Sequence, residues 1–391
     1  MAGQIVVRVV RALDEVEDLR LVWTSWQRIA EADIDLYLMT LRSTEWSLRP
    51  HIIVLYRDGS PQTMLIGKLE NCGIGLKIGQ WRLPSPRARG LAFIYGGLLG
   101  DQSPVSCEIL MRSILDSLRG DEANFALLNK VRADSPLCQF AIESASPLCR
   151  DHFPSICLHC SVDLGGVEDF YQRLPKKTRH NLKWEAKKLL DDHSGQVKVF
   201  CFREPAELDR MIKDIEQVAK TTYQRSLGVG FKATPELFGR MVHEAREGRL
   251  RAYVLYVNEK PCAFWLGYVC HDILYVDCTG YDSSLRKYSP GKYLLMKVFE
   301  DSGREGLSKV DCGYGDEWYK EHFGTSQWSE IITYLFAPTR KGIGLNVLRT
   351  AAILTDRTLR WGLRRTALFP WIKRHWRNRL RRKVSIVEAT G

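Results

Sequence analysis

No stretch of 18 or more consecutive uncharged apolar residues occurs in this 391-residue chain, so a membrane-spanning helix is not expected. The opening MAGQIVVRVVRALDEVEDL has no basic cluster followed by an uninterrupted apolar core, and a secretory leader is not expected either. A disulfide framework is also missing, because the eleven cysteines are odd in number and scattered. Cys262, Cys270, Cys278 and Cys312 sit in apolar, strand-like runs, where cysteine serves as a small core residue. That usage fits reduced thiols in the cytoplasm. Cys157 and Cys160, with His159 between them, give half of a zinc spacing that no second pair answers. No metal site is expected.

What is present is ordinary for a globular protein: 45% hydrophobic and 26% charged residues, with length enough for two domains. The formal net charge of +11 is unevenly placed. From Arg340 to Gly391, fourteen Arg and Lys face only Asp356 and Glu388, a net of +12, which leaves about −1 for residues 1–339. The basicity belongs to the tail.

Two stretches align at an offset of two hundred residues: VLYRDGSPQTMLIG from Val54 and VLYVNEKPCAFWLG from Val254. Each reads as a strand, a tight turn and a second strand. Around the second copy the pattern gives a basic helix (about 167–191), a strand (196–202), helices (204–221 and 234–246) and three strands (250–257, 262–270, 272–280). A helix (290–304), a strand (308–312), a short helix (317–322) and a last strand (328–336) follow. The first half runs similarly: strand 4–10, helices within 13–44, strands near 50–57, 62–70, 76–82 and 91–96, helix 104–119, strand 124–129, helix 135–143, strand 155–162. Two copies of one α/β unit, joined near Asp163 to Gly166, is the economical reading. The domains are then 1–164, 165–339 and a tail, 340–391.

The stretch RKYSPGKYLLMK from Arg286 opens a helix with proline and glycine and rings that start with cations. Pro290 suits a first helical turn. Gly291 weakens a helix by about 0.5–1 kcal/mol relative to alanine unless something must approach its backbone. Helix starts bind anions, so the turn is a candidate phosphate cradle; a capped helix with a solvated basic rim is the plainer alternative. The first copy carries Ser103-Pro104-Val105 at the matching place, without the glycine or a neighbouring cation.

The element order, and Arg286, Ser289 and Gly291 at the positions of the cofactor-turn pattern Gln/Arg-x-x-Gly-x-Gly/Ala, resemble the GNAT acyltransferases. Ser289 stands where that pattern has its first glycine. YDSSLRKYSPGKYLL, followed by KVDCGYGDEWYKEHFG, resembles the CelD-type (BioF-like) branch, tandem-domain relatives of the Fem-type transferases. The resemblance is strongest over about 165–337. It implies an α/β fold of tandem GNAT-like domains, each a mixed sheet flanked by helices, with a basic amphipathic helical tail. It also implies acetyl-CoA or another acyl-CoA as donor, held in the second domain by Arg286, Lys287, Ser289, Gly291, Lys292 and Tyr293. Backbone amides of Gly291, Lys292 and Tyr293 would meet the pyrophosphate.

Acyl transfer needs a proton acceptor, oxyanion donors and an acid for the leaving thiolate. Tyr275, Asp277, Thr279 and Tyr281 alternate with Val276, Cys278 and Gly280, so one strand face is expected to be polar, with Asp277 the candidate base. By resemblance Tyr319 is the candidate thiolate acid, and Asp311 and Asp316 are acceptor-binding or catalytic carboxylates, although Asp316 equally suits a helix cap. By the same resemblance Lys177, Arg179 and Asn181 on a basic helix are expected at the cleft, and Tyr223 and Arg225 in a loop, with Tyr281 and Lys320, complete the expected acceptor set. The expected acceptor is a saccharide or cell-envelope precursor. The tail, 340–383, mixes aromatics with cations, as helices on anionic membrane surfaces do; tRNA or packing on the protein body are the alternatives. Competing with a cytoplasmic acyl-CoA-dependent enzyme at the inner membrane face are a Fem-type aminoacyl-tRNA-dependent transferase and a non-catalytic scaffold.

Overall fold

The computed structural model describes residues 4–43, 46–79, 81–165, 171–222, 225, 230–315 and 318–365. The first half runs β1 (Ile5–Val10), α1 (Leu13–Glu17), α2 (Arg20–Trp26), α3 (Ile34–Ser43), β2 (Ser47–Arg57) and β3 (Ser60–Cys72). It continues through β4 (Lys77–Ile78), β5 (Trp81–Arg82), β6 (Ala88–Gly100), α4 (Pro104–Arg119), β7 (Phe125–Arg132), α5 (Pro136–Glu143) and β8 (Ser155–Asp163). The second half begins with α6 (Lys176–Asp192), β9 (Val197–Phe202), α7 (Leu208–Thr221), α8 (Pro235–Arg246), β10 (Leu250–Val257) and β11 (Lys260–Cys270). Then come β12 (Ile273–Tyr281), a 3₁₀ turn (Ser283–Tyr288), α9 (Pro290–Arg304), β13 (Lys309–Tyr314), α10 (Trp318–Phe323), β14 (Ser326–Phe336) and α11 (Arg340–Arg365).

The expected repeat is present down to single hydrogen bonds. β2 pairs antiparallel with β3, and β10 with β11, with the same register break at Leu55/Tyr56 and at Leu255/Tyr256. Both turns take positive φ at two residues, Asp58 and Gly59 in one, Asn258 and Glu259 in the other. Such turns match the right-handed twist of the strands they join. The Asp58 amide donates to the Gln4 carbonyl and the Asn258 amide to the Gln196 carbonyl, both at 3.0 Å.

The chain forms two compact units. The first takes the described residues up to 158 and, from the far end of the sequence, residues 328–365; its strands run β1-β2-β3-β6-β7-β14. The second takes residues 159–327, with strands β8-β13-β12-β11-β10-β9. Each unit therefore completes its sheet with a strand from the other sequence half. The stretch expected as a strand near 76–82 is instead a separate two-stranded ribbon, β4-β5, turned at Gly79 and tied to α11 by the Gly79 amide on Asp356 Oδ1 at 2.6 Å.

In each unit one pair of central strands is parallel and only briefly joined. β6 pairs with β7 from Gly90↔Phe125 to Phe93↔Leu128, and β12 with β13 from Ile273↔Lys309 to Tyr275↔Asp311. Beyond those residues the pairing stops. In the second unit one sheet face packs Leu255, Trp265, Leu274 and Val310 against Leu294, Val298 and Phe299 of α9. α7 and α8 cover the other face, with Met211, Ile215, Val218 and Met241 buried. Each large apolar side chain so buried contributes about 1.5–3 kcal/mol.

The first turns of α11 pack within the first unit. Leu345 and Ala352 join a core with Phe125, Tyr334 and Phe336. Asn346 donates to the Leu148 and Arg150 carbonyls at 2.9 Å, and buried Arg349 pairs with Asp151 at 3.2 Å. The rest of the expected tail, 366–391, lies outside the described residues.

Candidate active site

Where β12 parts from β13, both strands bulge. The β11–β12 register passes from Leu266↔Cys278 to Gly267↔Val276, which makes Asp277 the extra residue. The β8–β13 register passes from Asp311↔Ser161 to Tyr314↔His159, with Gly313 at φ +67° in the break. Bulges re-aim side chains and interrupt pairing, and they recur next to active sites.

The first bulge also corrects the expected polar face. One inserted residue inverts a period of two. Thr279 and Tyr281 share the face of their partners Trp265 and Ala263, toward α9, whereas Tyr275 shares the opposite face with Tyr268. The residues do not line one cleft wall. Asp277 is exposed, and it helps raise the pKa of buried Tyr268, whose hydroxyl has no hydrogen-bond partner among the described residues; burial is the larger cause there.

The start of α9 departs from ordinary helix starts. Among the described residues four helices open with Ser-Pro or Thr-Pro. At α4, α5 and α8 the hydroxyl of Ser103, Ser135 or Thr234 accepts the amide three residues on, at 3.4, 3.2 and 3.3 Å. At α9, Ser289 takes a left-handed conformation (φ 50°, ψ 50°) and makes no side-chain cap. A left-handed non-glycine residue is strained, more so before proline, and such strain gathers at functional sites. The amides of Lys292 and Tyr293, expected to be open to phosphate, donate to the Ser289 carbonyl at 2.9 and 3.2 Å. The Gly291 amide donates to no described carbonyl. A side chain at Gly291 would meet the Tyr281 ring at 3.3 Å, so the glycine lets the helix start lie against that ring.

Charge surrounds this turn. Arg286 and Lys287 are exposed. The Lys287 amine lies 4.5 Å from the ring centre of buried Tyr288, and its pKa is raised, first by a hydrogen bond to that tyrosine. Lys188 of α6, which sequence reasoning passed over, approaches the same ring at 6.0 Å. Lys292 is held by both oxygens of Glu185, also on α6, at 3.0 and 3.1 Å. Lys177, Arg179 and Asn181 precede Glu185 on that helix, which packs beside the donor turn.

The remaining candidates are dispersed. Tyr319 packs its ring against Trp265, 5.4 Å between centres, with Lys320 beside it. Buried Lys320 donates to the Tyr314 carbonyl at 2.6 Å. Arg225 is held by Glu216 and by the Phe231 carbonyl. Asp316 and Tyr223 lie outside the described residues. Asp311 is buried, and its partner is a residue seen in the sequence only as half of a metal spacing: His159 Nε2 lies 2.6 Å from Asp311 Oδ1. The hollow of about 460 Å³ among Glu17, Asp35, Leu38 and Arg42 is on the first unit and holds none of these residues. Among the described residues no group of three His, Cys, Asp or Glu could hold a metal, and no helix is long and apolar enough to cross a membrane.

Residues 176–321 match the family model of the acetyltransferase (GNAT) domain. No curated protein matches the chain. Among solved structures it is similar to FemX, with a TM-score of 0.53 and 10% identity over 82% of this chain and 96% of that one. It is also similar to the C-terminal domain of an Agrobacterium fabrum protein described as a lysylphosphatidylglycerol synthetase, with a TM-score of 0.51 and 12% identity over 88% and 96%. At such identities the likeness is one of fold. Together the matched domain and the tandem mixed sheets make the chain an acyltransferase with a GNAT-like fold, its acetyltransferase-type domain lying in residues 176–321.

Proposed function

We propose that the chain transfers an acyl group, most simply acetyl, from CoA to an amine or hydroxyl of a saccharide or cell-envelope precursor. The observation that carries this reading is the uncapped, left-handed start of α9 at Ser289, followed by Gly291. A pyrophosphate brings the oxygens that such a start lacks. Lys287, Lys188 and Arg286 add attraction, and displacement of Glu185 would free Lys292 for the same task. The opening between β12 and β13 is where an extended thioester arm would lie, with Tyr319 as the thiolate acid. Asp277, Tyr281 and Lys320 serve on the acceptor side, and Lys177, Arg179, Asn181, Tyr223 and Arg225 are retained as acceptor contacts.

Two observations bear on where it works. α11 leaves Val347, Leu354 and Trp361 exposed at seven-residue spacing, with Arg357 and Arg360 nearby, which supports docking on an anionic membrane surface at the cytoplasmic face. α6 exposes Lys176, Lys177, Lys183 and Lys187 with Trp184, a face that would also suit a nucleic acid. That keeps a Fem-type, aminoacyl-tRNA-dependent reaction as the second reading. Thiol release from acetyl-CoA in the presence of amino sugars and peptidoglycan precursors tests the first. Release above the acceptor-free rate is expected; none with any acceptor, together with turnover of charged tRNA, would replace it.

A further inference from the structure

We infer that His159 is the proton acceptor of the reaction and Asp311 its positioning residue, an assignment that rests on the acyl-transfer reading above. Asp311 is the last residue of β13 to pair with β12, so it stands at the root of the opening. His159, on β8, is the cross-strand partner of Tyr314, past the point where β12 has left. Alternation along β8 puts Val162 in the α9-side core, and Ser161, the partner of Asp311, on the other face. His159 and Asp311 share that second face.

The chemistry of the pair is specific. His159 is 3% exposed, and a buried imidazole N–H needs an acceptor. Asp311 Oδ1 accepts it at 2.6 Å and also takes the Gly313 amide at 2.8 Å, so the bulge fixes the carboxylate and the carboxylate fixes the ring. A carboxylate so placed orients an imidazole and stabilises its protonated form. An imidazole, ordinarily near 6.5, is better matched to neutral proton transfer than a carboxylate, ordinarily near 4. On the same face of β8 stands the buried Ser161, and the amine of Lys320 from α10 is on the carbonyl of Tyr314, the cross-strand partner of His159. In the reaction the acceptor's lone pair forms the new C–N or C–O bond as the C–S bond breaks and CoA leaves as thiolate. The acceptor's proton passes to His159, and from there to the thiolate or water.

The test uses the full chain with acetyl-CoA bound. Nitrogen NMR of the histidine rings, assigned with His159→Gln, should show His159 gaining a proton between about pH 5 and 8, and Asp311→Asn should move that midpoint down. Thiol release to glucosamine or to water should fall at least about 100-fold in His159→Gln, while stabilisation by acetyl-CoA is retained. A ring in one protonation state from pH 4 to 9, or a His159→Gln chain with wild-type thiol release, would overturn the assignment. A wild-type chain that acetyl-CoA does not stabilise would instead remove the donor reading, and this assignment with it.

Discussion

The helix starts at Ser103-Pro104 and Ser289-Pro290 occupy the same place in two copies of one unit, and only one of them is closed. In the first, the serine is extended and its hydroxyl takes the Ser106 amide. In the second, the serine is left-handed and takes none. The frames around them match closely. β2 sets His51 opposite Gly67, and β10 sets Arg251 opposite Gly267. Past the end of each helix a glutamate gathers the cations: Glu122 binds Arg11 and Arg49, with the His51 ring 3.5 Å away, and Glu305 binds Arg203 and Arg251. The first copy spends its polar groups on its own stability. The second leaves the start of α9 without a side-chain cap, and the proposed donor site rests on that difference.

Acid should separate the two copies most. Burial pushes His51 down to about 4, so below its ordinary 6.5 the unfolded chain takes up a proton that the folded chain refuses. Burial alone would raise Glu122, yet Arg11 and Arg49 hold it down to about 2. The His51 contribution is whole above pH 6.5 and is lost as pH falls toward 4, about 3 kcal/mol in all. Glu122 adds a further loss between about pH 4.5 and 2. Urea unfolding between pH 8 and 3 should show the first unit weakening first, and His51→Leu should flatten the loss above pH 4. The Ser103→Ala change removes a working cap and should cost about 1 kcal/mol by thermal unfolding. For Ser289→Gly the sign reverses: relief of the left-handed strain should stabilise the second unit by about 0.5–1 kcal/mol. If both serines behaved alike, the comparison would fail. The smallest effect is expected from Glu185→Gln, which releases Lys292: acetyl-CoA should bind about two-fold more tightly by calorimetry, a gain of about 0.4 kcal/mol.

Local pattern made much of this legible. The VLY…P…G repeat read out both hairpins, and the strands fell within a few residues because alternation and Asp-Gly-type turns are local signals. Ser-Pro-Gly marked the start of α9, though not its left-handed, uncapped serine. Alternation names a residue's face but not its neighbouring strand, so the pairing of β14 with β7 and of β8 with β13 was not readable. Nor was the bulge at Asp277, one residue that moves Tyr275 to the other side of the sheet from Thr279. His159 lay hidden for a similar reason, since the carboxylate that gives it meaning is 152 residues away. A histidine in the buried half of the strand SICLHCSVD was the available signal.

The most direct measurement is thermal unfolding with and without acetyl-CoA, in the wild type and in Gly291→Glu. At about 100 times its dissociation constant the ligand should stabilise the wild type by roughly 2.7 kcal/mol, a shift of a few degrees. The variant, folded but carrying a carboxylate in the cradle, should show no shift. Equal shifts in both chains, or none in either, would contradict the assignment of the phosphates to the open start of α9.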